Sequence, residues 1–239
     1  MKLLKKYKPE VKIFVKVCHR LARNMYVTGY GGNLAWKLED DLLLITPTQR
    51  NKGDVKPKDV VFVNLAGDVV EGKRRPTGEL PMYLKFFQER PDIVSVVHCH
   101  APAVCAIAIS EGKNYLMRPL YPETTTEIGP VPIVPYGQPL TQELADNFGP
   151  YLPKYNSFIM ENHGLVTMSR GDIVWTLMNI ELLEATAQSI IMALQIGGEI
   201  KELDYDAVKR LGAVMSQRDL PLFGAPGVNA SLEALYFGN

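Results

Sequence analysis

The spacing of apolar positions changes several times along this chain, and each change marks an element. Between residues 9 and 25, Val11, Phe14, Val15, Val17, Cys18 and Leu21 recur at helical spacing, with Pro9 suited to a first turn. A glycine-rich turn follows, Gly29-Tyr30-Gly31-Gly32-Asn33. Residues 34–38 and 42–45, parted by Glu39-Asp40-Asp41, read as a hairpin, and residues 60–64 and 69–71 as a second one around Gly67-Asp68. Residues 79–90 predict a helix stopped by Pro91, with Pro81 tolerated in its first turn.

The short β-branched run Ile93-Val94-Ser95-Val96-Val97 predicts a buried strand that ends in His98-Cys99-His100. A helix over 103–110, a short strand over 130–135 and a helix over 141–151 capped by Thr141 come next. The apolar run Phe158-Ile159-Met160 then leads to Glu161-Asn162-His163-Gly164. Asp172 begins the longest helix, which Gly197-Gly198 ends, and a helix over 205–217 precedes an irregular tail to Asn239. Hairpins followed by interspersed helices predict a single α/β (α+β) domain over residues 1–239. Its expected centre is a largely antiparallel sheet flanked by helices.

Composition narrows the function classes. With 26 Lys+Arg against 26 Asp+Glu there is no net charge to attract nucleic acid. The basic start (Lys2, Lys5, Lys6, Lys8) lacks the uninterrupted apolar stretch of a signal peptide, because Glu10, Lys12 and Lys16 break it. Residues 173–196 are apolar but carry Glu181 and Glu184, so a core helix is expected there rather than a membrane span. The three cysteines, Cys18, Cys99 and Cys105, have no C-x-x-C spacing and read as small core residues of a cytoplasmic protein.

The candidate chemistry is concentrated in the histidines, of which there are four. On a strand, His98 and His100 face the same way, about 7 Å apart along it, while Cys99 faces the other. Such a pair serves equally well as two half-buried imidazoles with hydrogen-bond partners or as the start of a metal site. A catalytic zinc takes three protein ligands and an open position. His163 can complete that set, leaving His19 to spare. Upstream, Pro76-Thr77-Gly78-Glu79 puts a hydroxyl, a carboxylate and free backbone N–H groups at a helix start, which favours phosphate. There Glu79 is suited to act as metal ligand or base.

Other motifs carry less. Gly67-x-x-x-x-Gly72-Lys73 is followed by Arg74 where a P-loop needs Ser or Thr, and its glycines fall in a hairpin. Gly29-x-Gly31-Gly32 precedes a strand, which leaves either a tight turn or a nest of N–H groups for an anion. Asn229-x-Ser231 is a chance glycosylation triplet, and no Gly-x-Ser-x-Gly elbow supports nucleophilic hydrolysis.

Taken in order, five motifs make the chain resemble the class II aldolase/adducin family from about Pro9 to Gln217. They are Gly31-Gly32-Asn33-Leu34, Thr46-Pro47-Thr48, Pro76-Thr77-Gly78-Glu79, His98-x-His100 and Asn162-His163-Gly164. Gly-Gly-Asn-Leu, Pro-Thr-x-Glu-Leu-Pro and the segment 120–128 are most similar to the L-rhamnulose-1-phosphate aldolase branch. The resemblance implies a lyase that cleaves a ketose 1-phosphate to dihydroxyacetone phosphate and an aldehyde. It also implies one Zn²⁺ per subunit on His98, His100 and His163, with Glu79 as the catalytic base.

By the same resemblance, Glu127 or Tyr121 handles protons on the aldehyde side, although a solvated carboxylate and a packed loop aromatic are the plain readings of those residues. Asn33, Thr48, Thr77 and Gly78 would bind phosphate. The implied partner is a small sugar phosphate, and the implied assembly a homotetramer with active sites at subunit interfaces. Related 4-epimerases carry aspartate where Glu79 stands. A zinc dehydratase and a non-catalytic adducin-like module are the other readings. The chain departs from the family pattern at Gln49 (commonly glycine), Gly78 (commonly serine) and Tyr30 (a polar residue in the rhamnulose branch).

Overall fold

The computed structural model describes residues 2–218 and 231–238. Helices α1 (Lys2–Lys6) and α2 (Lys8–Arg23) lead into strands β1 (Asn33–Glu39), β2 (Leu42–Ile45), β3 (Val61–Val63) and β4 (Val69–Glu71). Helix α3 (Leu80–Glu89), strand β5 (Ser95–Cys99) and helices α4 (Pro102–Ala108) and α5 (Pro122–Glu127) follow. Then come β6 (Ile133–Val134), α6 (Gln142–Asp146), the pair β7 (Ser157–Met160) and β8 (Gly164–Ser169), and helices α7 (Ile173–Gln195), α8 (Tyr205–Gln217) and α9 (Leu232–Phe237).

The strands form one sheet in the order β4-β3-β2-β1-β5-β8-β7-β6. Every neighbouring pair is antiparallel except β6 and β7. Alternation along the strands divides the core. Leu34, Trp36, Val97, Cys99 and Leu165 pack with α2, α4 and α7 on one face. Ala35, Val96, Val166 and Met168 pack with α3 and α6 on the other. Helices on both faces leave the central strands no wet side, which is why they read as almost continuous apolar runs.

Helix α7 is long and apolar enough to cross a membrane by length and composition alone. Here Leu177, Ile180, Leu183 and Ile190 join the core, while Trp175, Met178 and Met192 are exposed. Its buried Glu184 accepts hydrogen bonds from the backbone N–H of Ala103 at 3.0 Å and of Val104 at 3.2 Å. These are free donors of the first turn of α4, so the carboxylate stands where a helix start favours negative charge.

Among the described residues, four of the α-helices and strands lie outside the predicted pattern: α1, α5, β8 and α9. Helix α5 has the sequence PETTTE, whose β-branched threonines argue against a helix. Gly164 looks like a terminator but opens β8, because a Cβ there would stand 2.7 Å from the Cys99 carbonyl oxygen. The strand past it is therefore possible only with glycine. Thr141 precedes α6 but makes no cap. Its hydroxyl donates to the Gln138 carbonyl at 2.7 Å, and the helix stops at Asp146 rather than Tyr151. The tail contains α9, capped by the Ser231 hydroxyl, while residues 219–230 and 239 of that expectation fall outside the described residues. Cys18 and Cys99 are buried as expected and Cys105 is half-buried.

The second core is built on an aromatic cluster in which the Phe86 ring meets Phe148 edge-on at 4.8 Å and Phe158 at 6.2 Å. Phe86→Ala should cost about 3–5 kcal/mol by leaving a cavity under α3, read as a lower urea midpoint. A loss below about 1 kcal/mol would contradict this packing of the core.

Candidate active site

The register of β5 sets the site. Side chains alternate along it, so Val97 and Cys99 enter the α7 face while Val96 and His98 point toward α3. Asn33 of β1 lies directly opposite His98 and shares its face. On the other side, the His98 Nδ1–H donates to the Leu165 carbonyl of β8 at 3.0 Å. That bond holds the tautomer and aims Nε2 outward. Nε2 of His100 lies 3.1 Å away. His163 comes from the β7–β8 turn, where Asn162 takes a positive φ of 55°. The ligand nitrogens of the three histidines lie within 4.8 Å of one another.

Glycines permit this approach. A Cβ on Gly31 would stand 2.8 Å from the His100 ring, and one on Gly164 would stand 2.8 Å from the same ring's other edge. The glycine turn is thus a tight turn packed on a histidine, closed by the Gly31 N–H to the Thr28 carbonyl at 2.9 Å.

Glu79 sits at the N-cap of α3 and is buried. Its Oε2 accepts from the Asn33 amide at 2.7 Å and lies 3.8 Å from His98 Nε2. Its Oε1 lies 3.5 Å from His163 Nε2. Burial pushes the pKa values of His98 and His100 down to about 3, with the neighbouring imidazoles adding to the effect. It lowers that of His163 as well, against the pull of Glu79. Three neutral imidazoles with converging lone pairs are a donor set for a divalent metal.

The spacing agrees with that use. Tetrahedral ligands at about 2.0–2.1 Å from zinc are roughly 3.3 Å from each other, close to the 3.1 Å between His98 and His100. His163 Nδ1 and Asn33 Oδ1 are buried with no protein partner.

Asn33, Thr48, Thr77, Gly78, Glu79, His98, His100 and His163 all line one cavity of about 180 Å³. Asn33, expected at the phosphate, lines the cavity and donates one of its two amide N–H groups to Glu79. Gln49 has φ 51°, in the left-handed region that favours the glycine common at that position. Over Gly78 the space is occupied: a Cβ there would stand 2.8 Å from Leu140 Cδ2. Tyr121 and Glu127 lie elsewhere. Both are exposed, Glu127 on α5 and Tyr121 at its N-cap; α5 packs on α7 and α8, and Tyr121 lines a separate cavity with Leu120 and Ile190.

Three residues at the site have no warning in the sequence pattern. Tyr83 donates its hydroxyl to the Asn33 carbonyl at 2.6 Å, Leu140 overhangs Gly78, and Lys52 lines the cavity. The first looks like any helical core aromatic, and the others sit in polar loops.

Residues 12–191 match the model of the Class II Aldolase and Adducin N-terminal domain. The chain belongs to this family. It is 34% identical over 175 residues to an L-fuculose phosphate aldolase of Methanococcus maripaludis, covering 73% of this chain and 92% of that one. It is 30% identical over 169 residues to a 3-oxo-tetronate 4-phosphate decarboxylase of Pectobacterium atrosepticum, covering 70% and 77%. The crystal structure of YgbL from Klebsiella pneumoniae, a candidate aldolase/epimerase/decarboxylase, superposes with a TM-score of 0.79 at 30% identity, covering 85% of this chain and 98% of that one. The chain is an enzyme of this family, of lyase type. These relatives carry fuculose-phosphate and tetronate-phosphate names, so they do not extend the motif likeness to the rhamnulose branch.

In the metal-free protein, His98 and His100 stay neutral when folded down to about pH 3, whereas the unfolded chain takes up protons near the ordinary value of 6.5. The unfolded state binds more protons between those limits, so stability falls as pH drops through this window. Urea unfolding of the metal-stripped protein should show that loss, and a His98→Gln/His100→Gln variant a flatter profile. Identical slopes would refute the buried, neutral assignment.

Proposed function

We propose that this protein is a zinc-dependent aldolase that reversibly cleaves a ketose 1-phosphate of the L-fuculose or L-rhamnulose type. The products would be dihydroxyacetone phosphate and an aldehyde such as L-lactaldehyde. The observation that carries this reading is the Glu79 carboxylate, 3.5 Å and 3.8 Å from Nε2 of His163 and His98, in one cavity with Thr48 and Thr77. The aldolase names of relatives that align over most of the chain support it.

The chemistry supplied by a Zn²⁺ on His98, His100 and His163 is Lewis acidity toward the ketose carbonyl and its neighbouring hydroxyl. Glu79 takes the proton of the C4 hydroxyl as the C3–C4 bond breaks and then returns a proton to C3, which completes dihydroxyacetone phosphate. In condensation it takes the proton from the dihydroxyacetone phosphate carbon. With Oε2 committed to Asn33, Oε1 is the oxygen that moves the proton. Burial of the carboxylate keeps its surroundings partly dry. Thr48, Thr77 and the N–H groups near Gly78 hold the phosphate and so fix the reacting carbons against the base.

The aldehyde-side acid, Glu127 or Tyr121, is not among the residues that line the cavity of its own chain. A homotetramer that brings α5 of one subunit to the cavity of the next would supply it, and exposed Tyr30 and Leu140 at the cavity offer apolar surface for that contact.

A second reading has a specific observation behind it. The relative named as a 3-oxo-tetronate 4-phosphate decarboxylase aligns over 70% of this chain. Loss of CO₂ from a 3-oxo acid leaves an electron pair beside the same kind of ketone, and needs no base at a C4 hydroxyl. Dihydroxyacetone phosphate is a product of both, so release of an aldehyde from the ketose 1-phosphate, or of CO₂ from the 3-oxo acid, separates the two.

Glu79→Gln should keep its metal but lose cleavage by about 10²–10⁴-fold, measured as metal content and as dihydroxyacetone phosphate released from L-fuculose or L-rhamnulose 1-phosphate. Near-normal turnover would sink the assignment. If neighbouring subunits share sites, unfolding and reassembling Glu79→Gln with Glu127→Gln/Tyr121→Phe chains should restore about a quarter of the sites. No recovery in a mixed tetramer would place the acid elsewhere.

A further inference from the structure

Lys52 lies in a loop between β2 and β3 yet is only 2% exposed. Its ammonium donates to the carbonyl of Tyr30 at 3.0 Å and of Arg50 at 3.1 Å. It thereby ties the glycine turn before β1 to the loop after β2, the two segments that carry Gly31, Gly32, Thr48 and Gln49 into the cavity. An ammonium has three donors, and the third has no partner among the described residues. No carboxylate among them lies within ion-pair distance of it either. Of the described residues lining the cavity, Lys52 is the one Lys or Arg.

A buried cation without a counter-ion is costly unless something pairs with it. Burial lowers the pKa of Lys52, and Cys18 and Glu79 oppose that only through space. An anion arriving in the cavity would complete both the charge and the hydrogen bonding.

We propose that Lys52 is the cation that receives the substrate's phosphate, donating its free N–H to a phosphate oxygen while it clamps the two loops around that group. This deepens the sugar-phosphate reading above and rests on it. It also gives the departures a rationale. Where Gly78 supplies no hydroxyl and Gln49 replaces a glycine, a charge-assisted donor takes over.

Titration calorimetry of the metal-loaded protein with inorganic phosphate tests the assignment. Lys52→Met should lower phosphate affinity about tenfold or more and flatten its salt dependence, with metal content unchanged. Lys52→Arg should retain most of the affinity. A clamp without phosphate contact would lower the melting point but leave the salt dependence as it was. A folded, metal-loaded Lys52→Met protein that binds phosphate like wild type overturns the proposal.

Should that variant not fold, wild-type protein carrying ¹³C at lysine Cε answers the same question. The signal missing in Lys52→Arg must shift on adding phosphate, and an unmoved signal overturns the proposal. Neither readout uses turnover. Absence of dihydroxyacetone phosphate release would defeat the aldolase reading while leaving this one standing.

Discussion

The pairing of β5 between β1 and β8 is the constraint on which the site depends. One neighbour places Asn33 opposite His98, and the other offers the Leu165 carbonyl to His98 Nδ1. A shift of one residue in either pairing would send His98 to the α7 face and Cys99 to the α3 face, because side chains alternate along a strand. Val97 and Cys99 on the α7 side and Val96 on the α3 side resist that slip. The apolar pattern that builds the two cores therefore also aims the histidine.

Around this strand the fold maintains an unfavourable grouping. Three imidazoles and a carboxylate share one end of the sheet, with His98 and Glu79 almost fully out of water. Burial keeps the imidazoles neutral, and Asn33 satisfies one oxygen of Glu79. Among the buried side-chain atoms without protein partners in the described residues, two, His163 Nδ1 and Asn33 Oδ1, belong to the same cluster. Buried polar groups are rarely left alone in a folded protein, and sites of binding are where the exceptions collect.

The rest of the cavity is built by different means. Its walls are loops held by backbone contacts, such as the Thr77 N–H to the Thr46 carbonyl at 3.0 Å and the Thr48 N–H to the Arg75 carbonyl at 3.1 Å. Positive φ values at Gly32 and Gln49 shape the turns, and Lys52 joins them. Loops on a rigid sheet can vary without disturbing the histidines, which suits a family whose members carry both aldolase and decarboxylase names.

Much of this was legible in the chain itself. The apolar periodicity located most of the elements, and the order of five short motifs marked the histidines, Glu79 and the loops that line the cavity with them. Where local preference and tertiary need conflict, the pattern misleads. Gly164 opens a strand because a neighbouring carbonyl leaves no room for a Cβ, and the threonines of α5 are helical through packing on α7 and α8. Only the tertiary structure decided which carboxylate meets which imidazole, and that Asn33 serves Glu79. It alone showed that a lysine from a polar loop ends up buried in the cavity, while Glu127 and Tyr121 are not among the residues that line it. Burial and distance between residues remote in sequence are properties of the packed chain, and no local pattern encodes them.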